Sequence, residues 1–448
     1  MASTSTSGGG ARPWRTALLT LRDESLASPS PTALLALLRR VLLTTAPPSL
    51  AASAAALSPH EVGSDVAFLA ETAAAVASCP DADDALRGVC HLIHDIMCKT
   101  NMEIDSSGWL AILKFLDKLV KCSIEGACVK GLSFRTAALN TASECLQILR
   151  FWSRDSGRGS SLKEYSHSLT VLISIISCLQ AELNLSDKPN GIGISPRDSG
   201  SMNNKNFNTW DMIISAFSMV EDVLCKIASS MTEDLWQSVI EVLRKVMDFV
   251  TARNIIIESS MMSRFYTSFL RCLHLVLSDP KGALSGHVAG FVANLQMFFV
   301  YGLRSASPPA QAPKETRTDS KPRASHRGRY RPPHLRNKAG TENDSLEGQS
   351  SDSEYSRYDL SSSDSDLSDS DGYAKSGDRF RSSKARLAAI LCIQDICRAD
   401  PKLLTSQWPV LLPENDVLQQ RKHQATLMTC LIFDPITKVQ VCSCLHIS

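Results

Sequence analysis

Two groups of residues in this 448-residue chain have types and spacing that could do chemistry. Cys442, Cys444 and His446 form C-x-C-x-H, with Cys430 upstream as a fourth donor, and the chemistry would be zinc binding through thiolates and an imidazole. Structural zinc sites prefer wider cysteine spacing, and these residues fall at the end of a helical run, so helix-end side chains are the expectation. Cys90, His91, His94 and Cys98 form the second group. The pairs Cys90/His94 and His94/Cys98 are each four apart and share a helix face. One helix rarely closes a tetrahedron around a metal, so satisfied side chains at the core boundary are expected. No metal and no cofactor is predicted.

Nucleophilic and phosphate chemistry finds no foothold. The chain contains no G-x-S-x-G, no H-E-x-x-H and no G-x-x-x-x-G-K-[ST]. Gly191 to Ser195 (GIGIS) lies in a polar stretch without the strand and helix that a dinucleotide fingerprint requires. Asp83 and Asp84 suit the first turn of a helix better than acid–base work. The chain is read as a non-enzyme with no small-molecule substrate.

The basic segment KPRASHRGRYRPPHLRNK (321–338) carries Arg323, Arg327, Arg329, Arg331 and Arg336 around Tyr330. Cations interleaved with an aromatic ring neutralise phosphate and stack on bases, which suits loose single-stranded RNA contact. YRPPHLR also resembles the Y-x-P-P-H-L-R element of DEAD-box helicase tails, which implies contact with translation initiation machinery. Tyr330 and Leu335 fit a Y-x-x-x-x-L pattern, but Arg336 stands where an apolar residue is wanted. The competing reading is a solvated linker whose arginines pair with the acidic run after it. In that run Ser351, Ser361, Ser363 and Ser368 each have an acid three residues on, which suits acidophilic kinases. Each phosphate would add about −1.5 to −2 charges and draw the run toward the arginines.

Composition sets the frame for these candidates. Hydrophobic residues make up 44% and aromatics 6%, while 47 basic and 46 acidic residues leave a net charge of +1. No global field draws nucleic acid or membrane. The 14 cysteines include no C-x-x-C, and Cys145, Cys178, Cys225 and Cys272 sit in apolar helical runs, so they read as reduced core residues of a cytoplasmic and/or nuclear protein. The longest strongly apolar stretch, 169–179, is short for a bilayer, and no membrane role is expected. The first residues are rich in Ser, Thr and Ala with Arg12 and Arg15, but Asp23 and Glu24 interrupt them, so a frayed tail is expected over 1–12.

Apolar residues recur at helical spacing from Pro13 to Leu303 with little alternation. Helices are predicted near 14–25, 32–43, 62–78, 82–99, 107–121, 132–152, 161–182, 208–229, 232–250, 260–278 and 284–301. Ala138, Thr141, Cys145, Ile148, Leu149 and Trp152 hold one inward stripe, with Phe134 and Ala137 above them. Asp105 and Thr232 are predicted N-caps. Segment 183–206 is rich in Gly, Pro, Asn and Ser and is predicted to be a mobile loop. Segment 304–381 is predicted to be a disordered linker, basic and then Ser/Asp-rich, and helices resume over 382–448.

Three Asp-Pro pairs punctuate the apolar runs: Asp279-Pro280, Asp400-Pro401 and Asp434-Pro435. Proline disfavours a helix before it and pre-sets the first turn after it, so each pair is expected to end one helix and start its antiparallel partner. The first two pairs are about 43 residues apart once 304–381 is set aside, within the range of HEAT and armadillo repeats; the last interval is about 34. The expected fold is all-α, a HEAT/armadillo-type α-solenoid interrupted by a long charged linker.

The run from Lys384 to Val439 resembles the N-terminal conserved domain of the HEAT repeat-containing protein 6 family, which includes plant armadillo-type relatives. Lys384, Arg386, Ala389, Leu391, Asp400-Pro401, Trp408, Leu412-Pro413, the helix from Ala425 to Leu431 and Asp434-Pro435 carry the resemblance, which extends diffusely back to about residue 85; Lys438 is read as a repeat-structural position. It implies an α-solenoid and supplies no catalytic residue. Family members run on with Arg, Ala and Leu after the equivalent of Lys438, whereas this chain reads VCSCLHIS. A shortened form that self-associates through an uncapped edge is therefore expected. The function expected is a non-catalytic protein–protein interaction scaffold, with an RNA- or translation-linked adaptor using 321–338 as the alternative.

Overall fold

The structure is a computed structural model that describes residues 12–27, 30–43, 47–130, 132–155, 159–186, 204–253, 255, 259–302, 376–412 and 425–444. Among these, every regular element is a helix. They are α1 (Arg12–Ala27), α2 (Pro31–Leu38) with a π-turn at Arg39–Leu43, α3 (Pro47–Ala54), α4 (Pro59–Val76), α5 (Asp83–Lys99), α6 (Ser106–Lys130), α7 (Leu132–Asp155) and α8 (Leu162–Ser186). There follow α9 (Asn204–Ile227), a 3₁₀ turn at Ala228–Ser230, α10 (Glu233–Ala252), α11 (Ser260–Leu277) and α12 (Val288–Gln296). Beyond the gap come α13 (Ser376–Ala399), α14 (Pro401–Thr405), α15 (Trp408–Leu411), α16 (Leu427–Phe433) and α17 (Thr437–Cys444).

Local chemistry explains the starts. The Ser30, Ser58, Ser259 and Thr426 hydroxyls accept from backbone N–H groups three residues on, at 3.2–3.4 Å. Asp105 Oδ1 accepts from Gly108 N at 2.8 Å, as its position predicts. Thr232 occupies the cap position of α10 with extended backbone but makes no side-chain cap bond. Asp83 and Asp84 fall in the first turn of α5, where the helix dipole favours them.

From α1 to α13 each helix packs on its neighbour but one. One stack runs α1, α3, α5, α7, α9, α11, α13, α17, and the other runs α2, α4, α6, α8, α10, α12, ending on α14 and α15. Most sequential neighbours also pack on each other, so the core is a continuous seam between two rows. Cysteine thiols mark two of these junctions by donating to a carbonyl of the next-but-one helix, Cys272 to Phe217 at 3.4 Å and Cys392 to Leu270 at 3.3 Å, and Cys430 of α16 donates to Phe299, beyond α12, at 3.2 Å. The stripe from Ala138 through Thr141, Cys145, Ile148 and Leu149 to Trp152 is buried as its spacing implied. Cys225, expected in the core, is exposed, because the buried stripe of α9 runs through Phe217, Val220, Val223, Leu224 and Ile227 and leaves position 225 outside.

Residues 1–305 and 375–448 form one compact unit, and 306–374, the other, lies outside the described residues. α13 is a central member of the first unit, packed on α11, α12 and α17. The linker boundary is therefore corrected: residues 376–381 open α13 and are helical. The predicted loop 183–206 narrows as well, because α8 continues to Ser186 and α9 starts at Asn204; its middle, 187–203, lies outside the described residues. A short helix, α3, fills a span left unassigned in the sequence.

The Asp-Pro expectation holds fully at one site. Asp400 caps α14 through Leu403 N at 3.1 Å, with Pro401 in the first turn. At Asp434-Pro435, α16 ends at Phe433 and α17 begins at Thr437. At Asp279-Pro280 the expectation holds in half: α11 ends at Leu277, but α12 starts only at Val288, and the Asp279 carboxylate pairs with Lys281 at 2.7 Å.

Leu162–Asn184 in α8 is long and apolar enough to cross a bilayer by length and composition, which the shorter run 169–179 had not suggested. Packing accounts for that apolarity, since 56% of the window is buried inside the protein and α8 is clasped by α6 and α9.

Candidate functional site

Arg386 is the largest fully buried cation among the described residues and lies among the last helices. Its Nε and Nη2 reach Asp434 Oδ2 and Oδ1 at 2.5 and 3.0 Å, and Nη1 donates to the Tyr301 carbonyl at 2.6 Å. Both side chains are excluded from solvent, at 1% and 0% exposure. Asp434 Oδ1 also accepts from Ile436 N at 2.9 Å, and Gln440 donates to the Asp434 carbonyl at 2.8 Å, so the Asp-Pro corner between α16 and α17 is fixed from inside. Next to this pair, burial first and the Asp434 charge second push the Cys430 thiol up to about 12, against the opposing pull of Arg386. A thiol held protonated in this way is a packing group and not a nucleophile.

The C-x-C-x-H cluster lies only partly within the described residues. Cys430 donates to Phe299 and Cys442 is buried, while the Cys444 side chain and His446 lie outside the described residues. Lys438 is exposed and Trp408 is half-buried. Arg327, Arg329, Tyr330, Arg331, Leu335 and Arg336, with Ser351, Ser361, Ser363 and Ser368, also lie outside the described residues.

The second cluster gains a partner helix that the sequence did not reveal. Cys90 turns inward with its Sγ 3.9 Å from Cys145 Sγ on α7, and burial adds to this contact in keeping its thiol protonated. His91 is half exposed and His94 largely covered beside Asp95, and Glu144 and Gln147 of α7 meet the far edges of the two rings. The nearer nitrogens and the Asp95 carboxylate lie within 4.8 Å of one another.

A cavity of about 360 Å³ opens below the start of α6, lined by Glu103, Ser106, Trp109, Asp155, Ser160 and Glu164 among others. Trp109 donates its indole N–H to Asp155 at 3.0 Å. Burial would raise the Glu164 carboxyl, but hydrogen bonds from Ser106, from the Ser161 backbone and hydroxyl, and from the Trp152 indole outweigh it and hold it below the usual range. Glu164 is thereby an anchor that joins α6, α7 and α8. A second cavity of about 410 Å³ shares Glu103 and adds Arg22, His60, Glu71 and Asp105. Neither cavity was legible in the sequence, since each depends on the chain between α5 and α6 crossing α4.

Residues 384–447 match a family described as Domain of unknown function (DUF4042). The matched segment contains both Arg386 and Asp434 and runs from α13 through α17. No curated protein and no solved structure matches the chain.

Proposed function

We propose that this chain is a non-catalytic protein–protein interaction scaffold built on a HEAT/armadillo-type solenoid, related to the HEAT repeat-containing protein 6 family. The observation that carries the reading is the stacking of the helices from α1 to α13 on their next-but-one neighbours in two rows. Such a stack leaves one row of helices lining an extended surface, which repeat proteins use to grip partners. The buried Arg386–Asp434 pair supports it by fixing one helical corner without any reactive group.

A second reading, an RNA-linked adaptor, rests on the five arginines around Tyr330 in 321–338. That segment lies outside the described residues. Affinity purification with mass spectrometry separates the readings, using the full chain, a chain lacking 306–374 and the segment 306–374 alone. Partners retained after the deletion support the scaffold. Partners recovered by the segment alone, and lost with the five arginines changed to serine, overturn it in favour of the adaptor.

A further inference from the structure

We propose that α5 and α7 together build a binding site for a late first-row divalent transition cation, zinc foremost, with His91 Nε2, His94 Nδ1 and the Asp95 carboxylate as its ligands. The three side chains stand at i, i+3 and i+4 and so share one face of α5. His91 Nε2 is 3.9 Å from Asp95 Oδ2, and His94 Nδ1 is 4.0 Å from Asp95 Oδ1. Two ligands each about 2.0–2.1 Å from a tetrahedral ion lie about 3.4 Å apart, so each histidine–Asp95 contact must close by about half an ångström, and the widest pair, within 4.8 Å, by at most about 1.4 Å.

The second helix supplies what one helix lacks. His91 Nδ1 lies 2.9 Å from Glu144 Oε1, and a carboxylate oxygen accepts, so Nδ1 carries the proton and Nε2 presents its lone pair to the site. His94 Nε2 likewise donates to Gln147 Oε1, which leaves Nδ1 as the acceptor. That Nδ1 is shielded from solvent and has no hydrogen-bond partner among the described residues. A buried acceptor left unpaired costs about 1–3 kcal/mol, and a cation would satisfy it. An outer carboxylate or amide fixing the tautomer of each imidazole is the arrangement that orients metal-binding histidines.

The donor set is two imidazoles and one carboxylate, which suits zinc, copper(II) or nickel and disfavours magnesium and calcium. His91 is half exposed, so water completes the coordination. Lys99 Nζ sits 3.5 Å from Asp95 Oδ2 and is the competitor that the cation displaces; it lies at a solvent-facing position and can swing away. Cys98 Sγ is 3.4 Å from His94 Nε2, on the far edge of the ring from the site, and is not a ligand. The proposal departs from the expectation of no metal because that expectation saw a single helix.

The test is calorimetric titration of the chelator-stripped full chain with zinc chloride in excess magnesium, with cobalt(II) absorption as an independent readout of coordination. One saturable zinc equivalent is expected. His91→Ala, on an exposed position that leaves packing intact, and Asp95→Asn should each weaken it at least about 10-fold. Glu144→Gln, which touches no metal, should weaken it about 10–100-fold through the His91 tautomer. Cys98→Ala and Cys442→Ala should leave it unchanged. The site is refuted by an absence of saturable binding, by magnesium competing equally with zinc, or by unaltered zinc affinity in the His91→Ala protein.

Discussion

Arg386 on α13 and Asp434 beyond α16 form a two-pronged ion pair across 48 residues of sequence, with both side chains withdrawn from water. The guanidinium also holds the Tyr301 carbonyl, so one side chain joins the chain before residue 303, α13 and the α16–α17 corner. Two charges lose their hydration here, and the pair is retained because each polar edge finds a partner.

Removing one member should cost much more than removing both. Asp434→Ala leaves a buried unpaired guanidinium and is expected to destabilise by about 3–5 kcal/mol. Arg386→Met combined with Asp434→Leu should cost less than Asp434→Ala alone. Urea midpoints, with hydrogen exchange in α16 and α17, measure both effects; a double variant as unstable as the two single losses added together would show that the charges do not act as a pair.

The Cys430 thiol predicts an alkaline weakness. Its value is raised to about 12 by burial, so the folded protein holds this proton more tightly than the unfolded chain does. The resulting stability is fully present below the unfolded value near 9 and is lost as pH rises toward 12. Three units correspond to a loss of about 4 kcal/mol across that window. Stability measured from pH 8 to pH 11 should fall less steeply in Cys430→Ala than in the parent, and parallel curves would contradict the assignment.

Gly63 is a packing requirement of the α4–α6 junction. A methyl group there would lie 2.0 Å from the Glu103 carbonyl oxygen, which is backbone and is tied to Pro59 O through Glu103 N at 3.1 Å. Gly63→Ala is expected to cost about 1–3 kcal/mol or more by overpacking. Gly286→Ala meets nothing within 4 Å and should be neutral or stabilise by up to about 1 kcal/mol through the unfolded chain. Thermal melts of the two variants should separate in opposite directions from the parent.

Deleting 306–374 should leave the helical unit folded. Gly302 lies close against Ser382 of α13, so the chain before the segment and the helix after it are already packed on each other. Loop closure changes by only about 0.6 kcal/mol per doubling of length, which bounds the effect at about 2 kcal/mol in the stabilising direction. Circular dichroism and the urea midpoint of the deleted chain check this; loss of helicity in α13 would show that the segment is part of the folded unit.

What the sequence by itself determined about this protein is its local structure. Helix identity followed from 3.6-residue periodicity over long runs, and the caps at Asp105 and Asp400 followed from side chains that bond three residues onward. These interactions span one turn, so their information lies within a few positions. The same reasoning missed α3, an eight-residue helix, and expected a helix over 284–301 that is confined to Val288–Gln296. Tertiary structure alone decided which distant side chains meet. Glu144 and Gln147 lie 53 residues from the histidines they orient, and Asp395 lies 121 residues from the His274 it binds at 2.5 Å. Position in the two helix rows brings these groups together, and packing between helices far apart in sequence sets that position, so no short-range pattern in the chain encodes it.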